Sequence, residues 1–218
     1  MKPEDIEKLS FKIIDEEAGE HSFSFQEWQI VRRVIHTTAD FEYIKNVRFH
    51  EKAMAAGLKA IRHGKAIVTD TNMAKAGIRK KELSHFGVAV ESFIDTPFVH
   101  QRAINESMTR AKAAVDAGVE KMKGGIYVIG NAPTALMHLI DLINSKKASP
   151  ALVIGLPVGF VNAKESKDAL MELDYPYISN IGRKGGSNVA AAVVNALAIM
   201  AVSDHMPVLN HMPVLNQG

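Results

Sequence analysis

The sequence predicts an α/β fold, a three-layer α/β/α sandwich on a mainly parallel sheet of five strands, with an additional helical region at the N-terminal side. Three observations predict it. Five short apolar runs recur along the chain, several of them apolar on both faces as buried parallel strands are. Helical patterns separate them, in the alternation of right-handed βαβ crossovers. Glycine-bearing loops follow three of the runs and lead into helical stretches. The 218 residues are 47% hydrophobic, enough to bury one sizeable core, and no proline- or glycine-rich linker divides them. Residues 1–202 are therefore expected to form one domain.

In chain order, Ser24 with Glu27 three residues later makes a capping box that opens a helix through "FQEWQIVRRVIHT". Trp28, Val31 and Ile35 share one face of it, and Phe23, Phe25 and Trp28 read as an exposed aromatic cluster. "EKAMAAGLKAIRHG" (51–64) is a second helical pattern. The strands are expected at 66–70 ("AIVTD"), 88–94 ("VAVESFI"), 125–131 ("GIYVIGN"), 151–158 ("ALVIGLPV") and 175–179 ("YPYIS"). Helical patterns at 98–123, 133–147, 163–173 and 187–202 fill the intervals and close the domain, the first as one long helix. "HMPVLN" then occurs twice, at 205–210 and 211–216, and residues 203–218 read as a loosely held tail.

Composition excludes several classes. Twenty-six basic and 24 acidic residues leave a net charge of +2, so no whole-chain field attracts nucleic acid or a membrane surface. The absence of cysteine excludes disulfides, thiolate nucleophiles and cysteine-ligated metals, and fits a reducing compartment; the cytoplasm is the expectation. The start "MKPEDIEKLS" is charged, and the longest apolar run, "VAAAVVNALAIMAV", carries Asn195 and falls short of the roughly 18 residues a bilayer span requires.

Chemistry is expected at two places. Arg32 and Arg33 precede His36 by four and three residues, which brings cationic groups to the histidine's side of the helix. A guanidinium beside an imidazole disfavours its protonation, and such a histidine can exchange a proton near neutral pH. The second place is the carboxyl ends of the strands, where open α/β sheets bind ligands. Thr69 and Asp70 end the first strand; Asp70 is placed to cap the next helix and Thr69 to reach a ligand. Arg183 and Lys184 precede Gly185, Gly186 and Ser187 at a helix start, a carboxylate cradle by one reading and a packing turn by another. Neither a Walker sequence nor G-x-G-x-x-G follows the first strand. His21, His50, His63, His85, His100 and His138 have no metal-ligand spacing, so no metal site is assigned.

These loops carry a resemblance. "SFKIIDEE" (10–17), "EWQIVRRVIHTTADF" (27–41), "GKAIVTDTNMAKAGI" (64–78), "TRAKAAV" (109–115), "GGIYVIGNAPTAL" (124–136), "PALVIGLPVGFVNAKESKDAL" (150–170) and "PYISNIGRKGGSNVAAAVVNAL" (176–197) together resemble the precorrin-8X (cobalt-precorrin-8) methylmutases of the cobalamin pathway. The resemblance implies a flavodoxin-like sheet, a homodimer, and an isomerase that moves a methyl group from C-11 to C-12 of a corrin precursor, a tetrapyrrole macrocycle. Formally this is a [1,5]-sigmatropic shift and it consumes no cofactor. The resemblance also implies that His36 is the catalytic proton donor or acceptor, that Ser10 donates a hydrogen bond to substrate, and that Arg33 and Arg110 contact it. Thr69, Asp70, Arg183, Lys184 and Ser187 complete the expected substrate-binding set. Two other classes remain open on the residues alone: a corrin-binding carrier, and an S-adenosylmethionine-dependent methyltransferase, which the missing glycine fingerprint weakens.

Overall fold

The computed structural model describes residues 2–205. Its sheet has six strands: β1 (Val47–Phe49), β2 (Ile67–Thr69), β3 (Val90–Ser92), β4 (Ile126–Ile129), β5 (Leu152–Gly155) and β6 (Tyr177–Asn180). Their order is β1-β6-β5-β4-β2-β3, and every pairing is parallel except β1 with β6. β2 through β6 are the five expected strands, wound in the flavodoxin-like order. β1 is an addition to the sequence reading, an antiparallel edge strand that seats Val47 opposite Asn180.

The helices are α1 (Pro3–Ala18), α2 (Phe25–Thr38), α3 (Tyr43–Asn46), α4 (Ala53–Arg62), α5 (Asn72–Gly77), α6 (Lys80–Ser84), α7 (Pro97–Asn105), α8 (Arg110–Met122), α9 (Pro133–Asn144), α10 (Ala163–Met171) and α11 (Ser187–His205). One layer packs α4 and α11 on the sheet face formed by Ile67, Ile126, Val128, Leu152, Ile154 and Ile178, with α2 laid against α11. The other packs α8, α9 and α10 on Val68, Tyr127, Ile129 and Val153. Successive strand residues thus alternate between two buried layers, which is why the strands read as unbroken apolar runs.

Three expectations are corrected. The single helix over 98–123 is two, because Ser107 takes a left-handed φ of 51° and the Thr109 side chain accepts from the Lys112 N–H to start α8 afresh. The last helix continues past Val202 to His205, tied by an Arg62–Asp204 ion pair at 2.7 Å, so the 203–218 tail loses its first three residues to α11; the remainder lies outside the described residues. The window Ser187–Asp204 is long and apolar enough to cross a membrane, but 67% of it is buried inside the fold. The expected capping box at Ser24 and Glu27 is present, with both reciprocal bonds made.

Candidate active site

His36 lies in the last turn of α2, exposed, beside a groove of about 390 Å³ walled by Ser10, Ile13, Ile14, Glu17, Ile35, Ala39 and Phe41. α1 forms the opposite wall. Phe11 of α1 is the centre of this arrangement: its ring lies 5.1 Å from the His36 ring, 4.5 Å from the Arg32 guanidinium and 5.1 Å from that of Arg33. The aromatic face attracts both cations. Each also pairs with a carboxylate of α1, Arg32 with Asp15 at 2.8 Å and Arg33 with Glu7 at 3.1 Å. The expected cationic flank of His36 is therefore neutralised by α1. The Ser10 hydroxyl donates to the Ile6 carbonyl one turn back at 2.9 Å.

A second hollow, about 400 Å³, opens at the carboxyl ends of β2, β3 and β4, where the chain reverses its direction of winding. Asp70, Thr71, Asn72, Asp95, Arg110 and Asn131 line it. Arg110 begins α8 with its guanidinium 3.5 Å from Asp95 and 3.4 Å from the His100 ring. Asp70 is 2% exposed and accepts the N–H groups of Gly130, Asn131 and Ala132 at 2.8–3.0 Å. It thus fastens the entry to α9, whereas Thr71 caps α5, the helix assigned to Asp70 on sequence grounds. Burial pushes the Asp70 carboxyl up, and the three amide donors pull it back down. Thr69 is 1% exposed and spends its hydroxyl on the Thr71 carbonyl at 2.9 Å, so in this conformation it supports the floor of the hollow without opening into it. Ser187 is also buried and bonds Thr71 across the sheet at 2.9 Å. Gly130 is what lets these loops meet, since a Cβ there would sit 2.6 Å from the Ser187 Cα.

The β6–α11 loop links the two regions. Arg183 is exposed and lies over Phe160 at 5.5 Å. Lys184 turns back to α2's end, bonded to Asp40 and, at 2.7 Å, to Glu42. Asp40 is held below its usual range by the Lys184 hydrogen bond against partial desolvation, and Lys184 is raised by the same two carboxylates. Gly185 carries φ 156° with its Cβ position 2.2 Å from the Leu156 carbonyl oxygen, so only glycine passes here. Lys184 is therefore charge-paired to two carboxylates of its own chain.

The structure brings Ser10 and His36 to one groove, with Arg33 against Phe11 beside it, and Asp70 and Arg110 to one hollow. These hollows share no lining residue. Phe11, Asp40, Glu42 and Asn131 were missed, although Phe11, Asp40 and Asn131 stand inside the quoted motifs "SFKIIDEE", "EWQIVRRVIHTTADF" and "GGIYVIGNAPTAL" and signalled themselves only by that company. Among the described residues, no three histidine or carboxylate side chains gather as a metal would require.

Fold and site together define a flavodoxin-like α/β enzyme. The family model of precorrin-8X methylmutase matches residues 5–200. The chain is 46% identical over 203 residues to the cobalt-precorrin-8 methylmutase of Priestia megaterium, covering 93% of this chain and 90% of the relative. Against the precorrin-8X methylmutase of Pseudomonas aeruginosa it is 36% identical over 197 residues, covering 88% and 93%. The crystal structure of precorrin-8X methyl mutase from Thermus thermophilus superposes with a TM-score of 0.87 at 46% identity, covering 94% of this chain and 98% of that one. The chain belongs to the precorrin-8X methylmutase family, and its activity is that of an isomerase of cobalamin biosynthesis that moves a methyl group within one molecule.

Proposed function

We propose that the chain converts cobalt-precorrin-8 to cobyrinate by moving the methyl group from C-11 to C-12 of the macrocycle, with His36 exchanging a proton with the ring system. One observation carries this reading: the His36 imidazole stands exposed at a groove that it shares with Ser10, walled by Ile13, Ile14, Ile35 and Phe41. A wide, largely apolar wall suits a flat macrocycle, and a proton moved to or from it shifts electron density so that the migrating bond weakens. Arg110, which lines the second hollow, and Arg33, which lies against Phe11 beside His36, are the anchors for the acetate and propionate groups. Thr69, Asp70, Arg183, Lys184 and Ser187 order the loops that face the substrate. The cobalt complex is favoured over the metal-free precursor because the curated relatives named for the cobalt complex are 38–46% identical and those named for precorrin-8X 35–36%, although the Thermus thermophilus structure named for precorrin-8X also stands at 46%.

The enzyme acts as a homodimer in the cytoplasm. Ile6, Leu9 and Ile13 form an exposed stripe along α1, at 52%, 46% and 43% exposure, next to the groove; such a stripe supports a second copy docking there. The aromatic cluster expected at this face reduces to Phe25, since Trp28 is buried and Phe23 packs on the core. The test is turnover of cobalt-precorrin-8 and of precorrin-8 with the C-11 methyl carbon labelled, followed by visible absorption. Full retention of label at C-12, with none entering from added S-adenosylmethionine, is the expected result. Label arriving from S-adenosylmethionine overturns the isomerase reading, and binding without conversion favours a carrier.

A further inference from the structure

Lys167, in α10, is fully buried, and its ammonium meets no carboxylate at ion-pair distance among the described residues. Its Nζ donates instead to two neutral oxygens, the Lys184 carbonyl at 2.6 Å and the Asn180 side-chain carbonyl at 3.2 Å. These two residues are the two ends of the turn that leaves β6. Asn180 completes the knot by donating from Nδ2 to the same Lys184 carbonyl at 2.9 Å and to that of Ile181 at 3.1 Å. Two further bonds stitch this turn to the loop that leads into α10, Gly159 N–H to the Arg183 carbonyl at 3.2 Å and Gly186 N–H to the Leu156 carbonyl at 2.9 Å.

A buried ammonium with no carboxylate at ion-pair distance is costly to the fold, and burial pushes Lys167 down to about 8 from its usual 10.5, against a weaker pull upward from Asp168. What it does locally is close the turn from the inside, so that the next two side chains are sent outward: Arg183 over Phe160 and Lys184 onto Asp40 and Glu42. Asp40 lies between Ala39 and Phe41, both in the wall of the His36 groove.

We propose that Lys167 is a positioning residue, an internal ammonium clamp that fixes the 180–184 turn and, through Lys184, the end of α2 against which the substrate lies. The consequence for binding rests on the functional reading above; the clamp itself does not.

The experiment exploits the absence of cysteine, which makes a Lys167→Cys thiol unique in the chain. The variant is alkylated in denaturant with bromoethylamine, which rebuilds a lysine-like ammonium, or with iodoacetamide, which leaves the site neutral; each is refolded beside Lys167→Met and the wild type. Amide exchange of residues 181–186 is measured by mass spectrometry, with binding of cobyrinate followed by absorption. The clamp predicts exchange at least about tenfold faster in 181–186 for the neutral forms, with β4 unchanged and melting temperature held or raised, because a buried charge has been removed. It predicts at least about fivefold weaker cobyrinate binding in the neutral forms, and return to within about twofold of the wild type on aminoethylation. Exchange in 181–186 within twofold of the wild type in the neutral forms, a loss of protection spread evenly over the sheet, or failure of the aminoethyl form to restore protection overturns the clamp. Neutral forms that show the exchange pattern, beside a wild type that does not bind cobyrinate, overturn the functional reading and support the clamp.

Discussion

Arg32 and Arg33 are adjacent residues of one helix, yet their surroundings assign them different work. Arg32 is held by Asp15 at 2.8 Å and also donates to Gln29, so it fastens α1 to α2. Among the described residues Arg33 has one carboxylate partner, Glu7 at 3.1 Å, whose side chain is 41% exposed and yields readily to a substrate carboxylate. Arg33→Ala is expected to weaken cobyrinate binding by about 1.5–3 kcal/mol, the worth of a charge-assisted hydrogen bond, whereas Arg32→Ala leaves affinity within about twofold and lowers stability. Titration of both variants against cobyrinate separates these roles. Asp70 makes a sharper case. Replacing it by Asn turns a carboxylate that accepts three amides into a group whose own NH2 faces donors, so Asp70→Asn should cost about 2–4 kcal/mol in urea unfolding. Much of this was hidden from the sequence. Arginine three and four residues before a histidine is readable from spacing, but that Glu7 and Asp15 would meet those arginines depends on how α1 crosses α2, which spacing within one helix does not report.

At the scale of elements, the junction of α2 with the β6–α11 loop is electrostatic and therefore depends on pH. The Lys184 hydrogen bond depresses Asp40 below its usual 3.8, so its contribution to stability is present above about pH 4 and is lost as the pH falls through the lower folded value. The difference in urea midpoint between the wild type and Lys184→Met should stay constant from about pH 5 to 7 and shrink below about pH 4. Lys167 gives the same sign at the other end of the scale for the opposite reason, since here the charged form is the one burial disfavours. Its folded value, about 8, lies below the ordinary 10.5, so between those values the unfolded chain binds more protons and stability rises with pH. Lys167→Met should therefore exceed the wild type in stability at pH 7, with the margin narrowing toward pH 10. β2, β4 and β5 were legible because each is an apolar run buried on both faces, whereas β3 and β6 are only partly so and were read from the apolar residues around them. β1 escaped because "VRF" is three residues long with Arg48 pointing outward, and only its pairing with β6 makes it a strand. The break between α7 and α8 escaped too, although Thr109 is an ordinary N-cap, because a continuous helical pattern ran through it.

For the whole molecule, the exposed α1 stripe and the groove beside it predict that assembly and activity go together. Sedimentation at micromolar concentration should give a dimer, and Leu9→Glu, which places a charge in the stripe, should give a monomer with reduced turnover. Removal of residues 206–218 should leave turnover within about twofold, because the family match ends at residue 200. The central claim is that the methyl migration runs through a proton exchanged at His36. It is tested most directly by single-turnover kinetics of His36→Ala and His36→Asn with cobalt-precorrin-8, alongside cobyrinate affinity for the same proteins. The account predicts turnover slower by at least about 10²-fold with affinity within about tenfold of the wild type, since the carboxylate anchors remain in place. Near-normal turnover by folded His36→Ala protein would contradict it, leaving the imidazole a neighbour of Phe11 with no part in the chemistry.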